Sequence, residues 1–434
     1  MDRIMSLIGL VTLVAIAYAL SEHRKKVDFK VIFTGLGLQL IFALLVLGIP
    51  SLGVTGPLRG AFELANDFII SLLNFTIEGS KFIFGDLLNV QKYGFIFAFQ
   101  VLPTIIFMAS VMAIFYHLGI MQKIVSLIAL VMQKVMKTSG AETLSVAANI
   151  FVGQTEAPLM IKPFINKMTR SELLAVMIGG MATVAGGVMA AYVGLLKDTI
   201  PDIAGHLLTA SIMSAPAALA ISKILLPETE KPLTMGAVPK DLEVEKYSNV
   251  IEAAAQGAGE GLSLALNVGA MLLAFIAIIA GADALLGAIG GLISFENWGS
   301  ALTPDLMLKA GELPKLNLSL VLGWLFAPIA FLLGIPANEI GLAGSLLGQK
   351  IVLNEFVAYL NLSQVDQDLS ERTTIILSYA LCGFANFSSI AIQIGGIGGI
   401  APQRKRDLAQ LGIKSVIGGS LAAFMTAAIA GILL

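Results

Sequence analysis

The chain has 434 residues, 57% of them hydrophobic and 13% charged, with a net charge of −2. Soluble domains average about 25% charged residues, so half that charge at a mean hydropathy of +0.88 points to a lipid-embedded chain. The near-neutral balance gives no sign of a nucleic-acid partner, and the single cysteine, Cys382 in an apolar run, excludes an intrachain disulfide.

Crossing a bilayer takes about 20 apolar residues. Residues 4–20 and 31–50 supply the first two such stretches. The first has the look of a signal peptide, but His23-Arg24-Lys25-Lys26 follows it in place of a small-residue cleavage site, so it reads as a retained helix. Residues 51–92 mix spaced charges with apolar patches and suit an interfacial position. Residues 93–116 form the third span, and 121–137, carrying Lys123, Lys134 and Lys137, a second interfacial helix. The apolar segment 147–164 is interrupted by Gly153-Gln154-Thr155-Glu156-Ala157-Pro158. Spans at 173–196 and 203–222 follow, then a polar linker from Pro227 to Ser248, a span at 261–282 and an exposed loop at 295–315. A second interrupted segment, 316–359, breaks at Gly334-Ile335-Pro336-Ala337-Asn338-Glu339, and spans at 373–403 and 415–434 bring the total to eight.

Lysine and arginine in short loops mark the cytoplasmic side. They gather at Arg24, Lys25, Lys26 and Lys30, at Lys162, Lys167 and Arg170, at Lys223, Lys231, Lys240 and Lys246, and at Arg404, Lys405, Arg406 and Lys414. With eight spans both termini are then outside, and the acid-rich or mixed loops at 198–202, 296–312 and 366–371 fall on that side.

The arms of the two interrupted segments are about a dozen residues each, too short to cross, so each reads as a re-entrant hairpin. Backbone exposed at membrane depth survives only when buried in protein or lining a watery cavity. Each hairpin carries a polar break ending in a glutamate, Glu156 or Glu339, and precedes a charge-free helix interrupted by small and polar residues. Gly180-Met181-Ala182-Thr183 aligns with Gly383-Phe384-Ala385-Asn386. The basic loops place the two hairpin bases on opposite sides. The expected fold is therefore an all-α polytopic membrane protein: eight transmembrane helices, two re-entrant helical hairpins arranged as inverted repeats, and interfacial helices. In such proteins the site lies at the repeat interface near the midplane. Residues 1–140 read as mainly scaffold and interfacial helices, 141–226 as the first transport repeat, 227–315 as linker, scaffold helix and external loop, and 316–434 as the second transport repeat.

A carboxylate in a membrane span costs about 2.5–3.5 kcal/mol on insertion scales, so Glu156 and Glu339 are functional candidates, against a capping role or a place in an aqueous loop. Asn386, Ser389 and Thr183 serve equally well as helix-packing hydrogen-bonders. His23, His117 and His206 show no metal spacing. Gly412-Ile413-Lys414-Ser415 lacks the preceding glycine of a phosphate-binding loop. Lys350 and Glu355, five apart on one arm, read as a structural charge pair. A carrier is expected, with a channel as the competing class.

Gly348-Gln349-Lys350-Ile351-Val352-Leu353-Asn354-Glu355-Phe356-Val357-Ala358-Tyr359 resembles the signature of the concentrative nucleoside transporters. The Gly153–Pro158 break resembles that family's first hairpin tip, the stretch from Cys382 to Ile392 its seventh helix, and Leu226–Pro232 its central linker. The likeness runs from about Phe95 to the C-terminus. It implies no enzyme and no cofactor. It implies a homotrimer in a bacterial inner membrane, whose scaffold holds a mobile transport domain that moves as an elevator. By resemblance, Gln154, Thr155 and Glu156 would contact a nucleobase and Val188 would pack on it. Glu339, Asn386 and Ser389 would hold the ribose, with Phe384 near the sugar. Na⁺, the implied coupling ion, would fall on Asn149, Val152, Thr183 and Val184. The same architecture also serves proton-coupled relatives. A uridine-like nucleoside is the expected cargo.

Overall fold

The computed structural model describes residues 2–49, 53–200, 202–239, 247–308, 313–365 and 368–434. Lys240 and Lys246 of the third basic loop, the loop residues 309–312, 366 and 367, and the span end at Pro50 lie outside the described residues. Helices account for most of the rest. α1 (Asp2–Ala19), α2 (Phe29–Val46) and α3 (Arg59–Phe84) lead, followed by the short α4 (Val90–Tyr93) and α5 (Phe97–Gln100). Next come α6 (Leu102–His117), α7 (Ile120–Met136), α8 (Gly140–Ala148), α9 (Lys162–Ile165), α10 (Arg170–Ala182), α11 (Gly186–Leu196) and α12 (Ile203–Leu225). α13 (Val250–Leu292) and the short α14 (Phe295–Trp298) precede α15 (Leu318–Leu332), α16 (Ile340–Val352), α17 (Glu355–Val365), α18 (Glu371–Leu381), α19 (Phe387–Ile400) and α20 (Lys405–Leu433).

Among the described residues eight helical stretches are long and apolar enough to cross a membrane. Seven coincide with the expected spans. The eighth expected span, 373–403, is divided into α18 and α19 by extended backbone at Cys382 and Asn386. The stretch Arg59–Tyr93, expected at the interface, also has spanning length and apolarity. α7 carries its buried residues Met121, Val125, Ala129, Met132 and Met136 along one face, the pattern of an amphipathic helix.

α10–α11, α12 and α20 form the centre, with 94%, 89% and 89% of their apolar windows buried. α13 is the opposite case: only 17% is buried, so its apolar side chains face outward as lipid-contacting helices do. Its 43 residues reach about 64 Å, twice the hydrocarbon thickness. α13 packs on α6 through Gly257 and Gly261, where an added Cβ would come within 2.6 Å of the Ala113 Cβ and 2.8 Å of the Ala109 Cβ. Small residues four apart let two backbones approach where van der Waals packing drives association.

Two units share one order of elements. α7, α8, a break, α9, the broken pair α10–α11 and α12 make the first. α15, α16, a break, α17, the broken pair α18–α19 and α20 make the second. In each, a hydroxyl–carboxylate bond ties the start of the first hairpin arm to the start of the broken helix. Ser139, the N-cap of α8, donates from Oγ to Glu172 Oε1 of α10 at 2.5 Å. Ser370, the N-cap of α18, donates from Oγ to Glu339 Oε2, at the N-cap of α16, at 2.9 Å.

The two bases lie at opposite ends of α20, whose 29 residues span about 43 Å. At its start, Arg404 Nη1 donates to the carbonyls of Ile165 and Met168, beside the base of α10. At its end, Arg372 Nη2, from the first turn of α18, donates to the Gly431 carbonyl at 2.7 Å. Basic loops meet at the first end: Glu22 pairs with Lys414 and donates its backbone N–H to the Leu225 carbonyl, and Lys223 pairs with Glu142 at 2.7 Å.

The second hairpin differs from the sequence expectation. Gly334–Glu339 is the turn joining α15 to α16, and the tip lies at Leu353 and Asn354, between α16 and α17. No glycine or proline makes this tip. Asn354 Oδ1 accepts from the Val357 N–H at 2.9 Å and starts α17 as a side-chain cap would. The arms α16 and α17 have 13 and 11 residues, about 20 and 16 Å, short of a crossing.

Candidate functional site

The hairpin tips and the helix breaks converge. α8 ends at Ala148, and the chain from 149 to 156 turns without forming a helix. The Phe151 carbonyl of this tip accepts from the Gly186 N–H, at the start of α11, at 2.9 Å. Thr183 ends α10 in extended conformation. The two broken helices touch backbone to backbone: Gly383 has φ +109°, and a Cβ there would lie 2.6 Å from the Met181 carbonyl oxygen. Only glycine meets both demands.

One cavity opens between these parts. Gln154, Thr155 and Glu156 come from the first tip, Asn354 and Glu355 from the second, Val188 from α11, and Phe384, Asn386, Ser388 and Ser389 from the second break. Leu264, Val268, Met271 and Leu272 of α13 close it with an apolar wall. Two hydrogen-bonded groups line it. Gln154 Nε2 donates to Ser389 Oγ at 3.1 Å, and Gln154 Oε1 accepts from Gln393 Nε2 at 3.0 Å. Glu355 accepts from the Tyr192 hydroxyl and from Asn386 Nδ2, each at 2.9 Å. Asn386 Oδ1 caps α19 by accepting from the Ser389 N–H. Glu156 Oε2 accepts from the Gly153 N–H at 2.7 Å, which holds the first tip. An apolar wall with a few convergent donors and acceptors is the usual form of a small-molecule site.

Seven residues singled out in sequence line this cavity: Gln154, Thr155, Glu156, Val188, Phe384, Asn386 and Ser389. Glu339 does not. It is bound to the Ser370 N–H and Oγ at the hairpin base, and the glutamate at the second tip is Glu355. The expectation that Glu339 faces the ribose is corrected on this geometry, because Glu339 precedes the first arm and Glu355 follows its break. The expected Lys350–Glu355 ion pair is also absent among the described residues. Lys350 Nζ instead donates to the carbonyls of Ala380 and Cys382, at 2.8 and 3.2 Å. Asn354, Glu355, Ser388, Tyr192 and Gln393 join the site beyond those expected. For Asn354 and Glu355 the signal was present in the sequence, as an intramembrane Asn-Glu pair.

Beside the first tip, Asn149 is buried and its Oδ1 has no hydrogen-bond partner among the described residues, while its Nδ2 donates to the Ser145 carbonyl. A buried, unpartnered acceptor is costly unless something fills it. Thr183, equally buried, donates its hydroxyl proton to the Gly179 carbonyl at 2.9 Å and keeps its oxygen lone pairs. The Gly186–Phe151 bond brings Val152 and Val184 into the same neighbourhood. Oxygen donors of this kind fit a hard monovalent cation.

The fold and this cavity define a helical membrane carrier. The family descriptions "Na+ dependent nucleoside transporter C-terminus", "Nucleoside recognition" and "Na+ dependent nucleoside transporter N-terminus" match residues 206–431, 98–199 and 8–87. YutK of Bacillus subtilis, described as an uncharacterized transporter, is 44% identical over 431 residues, 99% of each chain. Mouse sodium/nucleoside cotransporter 2 is 38% identical over all of this chain and 63% of its own. A solved structure of CNTnw in an inward-facing substrate-bound state superposes with a TM-score of 0.87 at 41% identity, covering 100% of this chain and 98% of that one. The chain belongs to the Na⁺-dependent, concentrative nucleoside transporter family, and its members are carriers, not enzymes.

Proposed function

We propose that the protein imports nucleosides of the uridine type by symport with Na⁺ across a bacterial inner membrane. The observation that carries this reading is the cavity where both hairpin tips and the second helix break meet, with the Gln154–Ser389 and Glu355–Asn386 pairs in its lining and the open Asn149 acceptor behind the first tip. Gln154, Thr155 and Glu156 read the base, over which Val188 packs. Asn386 and Ser389, with Glu355 in the role first given to Glu339, hold the ribose near Phe384. A carboxylate accepts two hydroxyl hydrogens at once, which suits a sugar diol. Na⁺ bound by Asn149, Thr183 and the carbonyls of Val152 and Val184 fixes the first tip so that Gln154 and Glu156 are aligned. Each Na⁺ moving inward contributes about 2.3 kcal/mol per 100 mV of membrane potential.

The opposite placement of the hairpin bases supports inverted repeats, each arm re-entrant, with the basic end cytoplasmic and both termini outside. α6 and α13 serve as scaffold and trimer contact, and the units holding the cavity slide past them as an elevator, so that 141–226 and the chain from α16 onward travel together. The test is uptake of labelled uridine into proteoliposomes. An inward Na⁺ gradient drives accumulation above equilibrium, and replacing Na⁺ by choline at fixed pH abolishes it; accumulation that follows a proton gradient in choline overturns the Na⁺ assignment.

A further inference from the structure

The two breaks are alike in construction but differ in what occupies them. At the first, α10 stops in extended backbone at Thr183, and the end of arm α8 presents the unpartnered Asn149 oxygen. At the second, α18 stops in extended backbone at Cys382, and the end of arm α16 presents Lys350. The Lys350 ammonium is fully buried and ends on two carbonyls of that break, Ala380 and Cys382. The Phe424 ring lies 5.7 Å from it on the side of α20. Carbonyls at the C-terminal end of a half-helix carry partial negative charge and attract cations.

We infer that the Lys350 ammonium is a tethered cation occupying, in the second unit, the place that the exchangeable coupling ion takes in the first. The inference rests on the ion-site reading above. One break is locked permanently by a side chain, and the other is locked only when an ion arrives. The carrier therefore has one exchangeable cation site where its repeated construction would otherwise provide two. Removing the tether while leaving an oxygen donor turns the second break into an ion site.

The experiment measures Tm of the purified full chain against Na⁺ concentration, with choline holding ionic strength constant. The wild type shows one saturable stabilisation, which Asn149→Ala shifts to higher Na⁺ concentration. Lys350→Asn adds a second saturable component, and this survives in the Asn149→Ala/Lys350→Asn double variant. In transport, the Hill coefficient for Na⁺ rises from about one to about two in Lys350→Asn. Lys350→Met fills similar volume without charge or oxygen and gains no Na⁺ component. A monodisperse Lys350→Asn protein with only the wild-type component overturns the inference. So does instability of both Lys350→Asn and Lys350→Ser in Na⁺ as well as in choline, because a vacated break then fails to take the ion. A wild-type Na⁺ component whose concentration dependence is unchanged in Asn149→Ala removes the ion-site reading instead, and the component added by Lys350→Asn still decides the role of Lys350.

Discussion

Gln154 and Ser389 are 235 residues apart in the chain and 3.1 Å apart in space, one from the first hairpin tip and one from the second broken helix. Gln393 completes the contact by donating to both Gln154 Oε1 and the Met177 carbonyl. The bond joins the two units across the cavity, so a ligand between them touches both. Gln154→Ala should weaken uridine binding by about 1–3 kcal/mol, roughly 5- to 150-fold in Kd, because it removes the proposed base contact and leaves the Gln393 and Ser389 groups short of a partner. Isothermal titration in saturating Na⁺ checks this; wild-type affinity would remove Gln154 from the site.

Glu355 and Glu339 make opposite predictions. Glu355→Gln should cost about 1.5–3 kcal/mol of uridine affinity, since an amide does not accept two hydroxyl hydrogens as a carboxylate does. Glu339→Gln keeps its partner Ser370 at the hairpin base and should leave affinity within about twofold, an effect below 0.5 kcal/mol. A larger loss of affinity from Glu339→Gln than from Glu355→Gln would reverse the assignment.

Asn149→Ala removes the open acceptor behind the first tip. The expected result is a shift of the Na⁺ dependence of uptake to higher concentration, with uridine affinity at saturating Na⁺ little changed. An unchanged Na⁺ dependence argues that another ion drives transport.

Gly383→Ala tests the crossing of the broken helices. Its φ of +109° and the 2.6 Å approach to the Met181 carbonyl leave no room for a methyl group. A loss of more than about 1 kcal/mol is expected, read as a lower Tm in detergent. Gly395→Ala in α19 is the control: nothing lies within 4 Å of a Cβ there, so stability should hold or rise.

The first tip was legible in the sequence because Gly153 and Pro158 interrupt an apolar run and leave a glutamate between them. The second was not, because its break uses Leu353 and an Asn354 cap, while the more conspicuous Gly334–Glu339 turn lies at the hairpin base. Proline and glycine mark where a helix ends but not whether the end lies at mid-membrane. The break within 373–403 was legible as the small and polar residues that start at Cys382, although hydropathy averages over its five residues. Tyr192 and Gln393 were silent because each is a lone polar residue on an apolar helix, and their partners lie 163 and 239 residues away. The overall helix count and the grouping of the basic loops at one end followed from composition and charge, which act locally.

In the proposed symport, ion and nucleoside stabilise the same arrangement of the first tip. Thermodynamic linkage then requires each to tighten the other by the same factor. The direct measurement is the uridine Kd of the purified protein in Na⁺ and in choline, paired with the apparent Na⁺ affinity with and without uridine. Symport of this kind gives tighter uridine binding in Na⁺ and an equal factor in the reciprocal titration; equal uridine affinity in the two salts would contradict it.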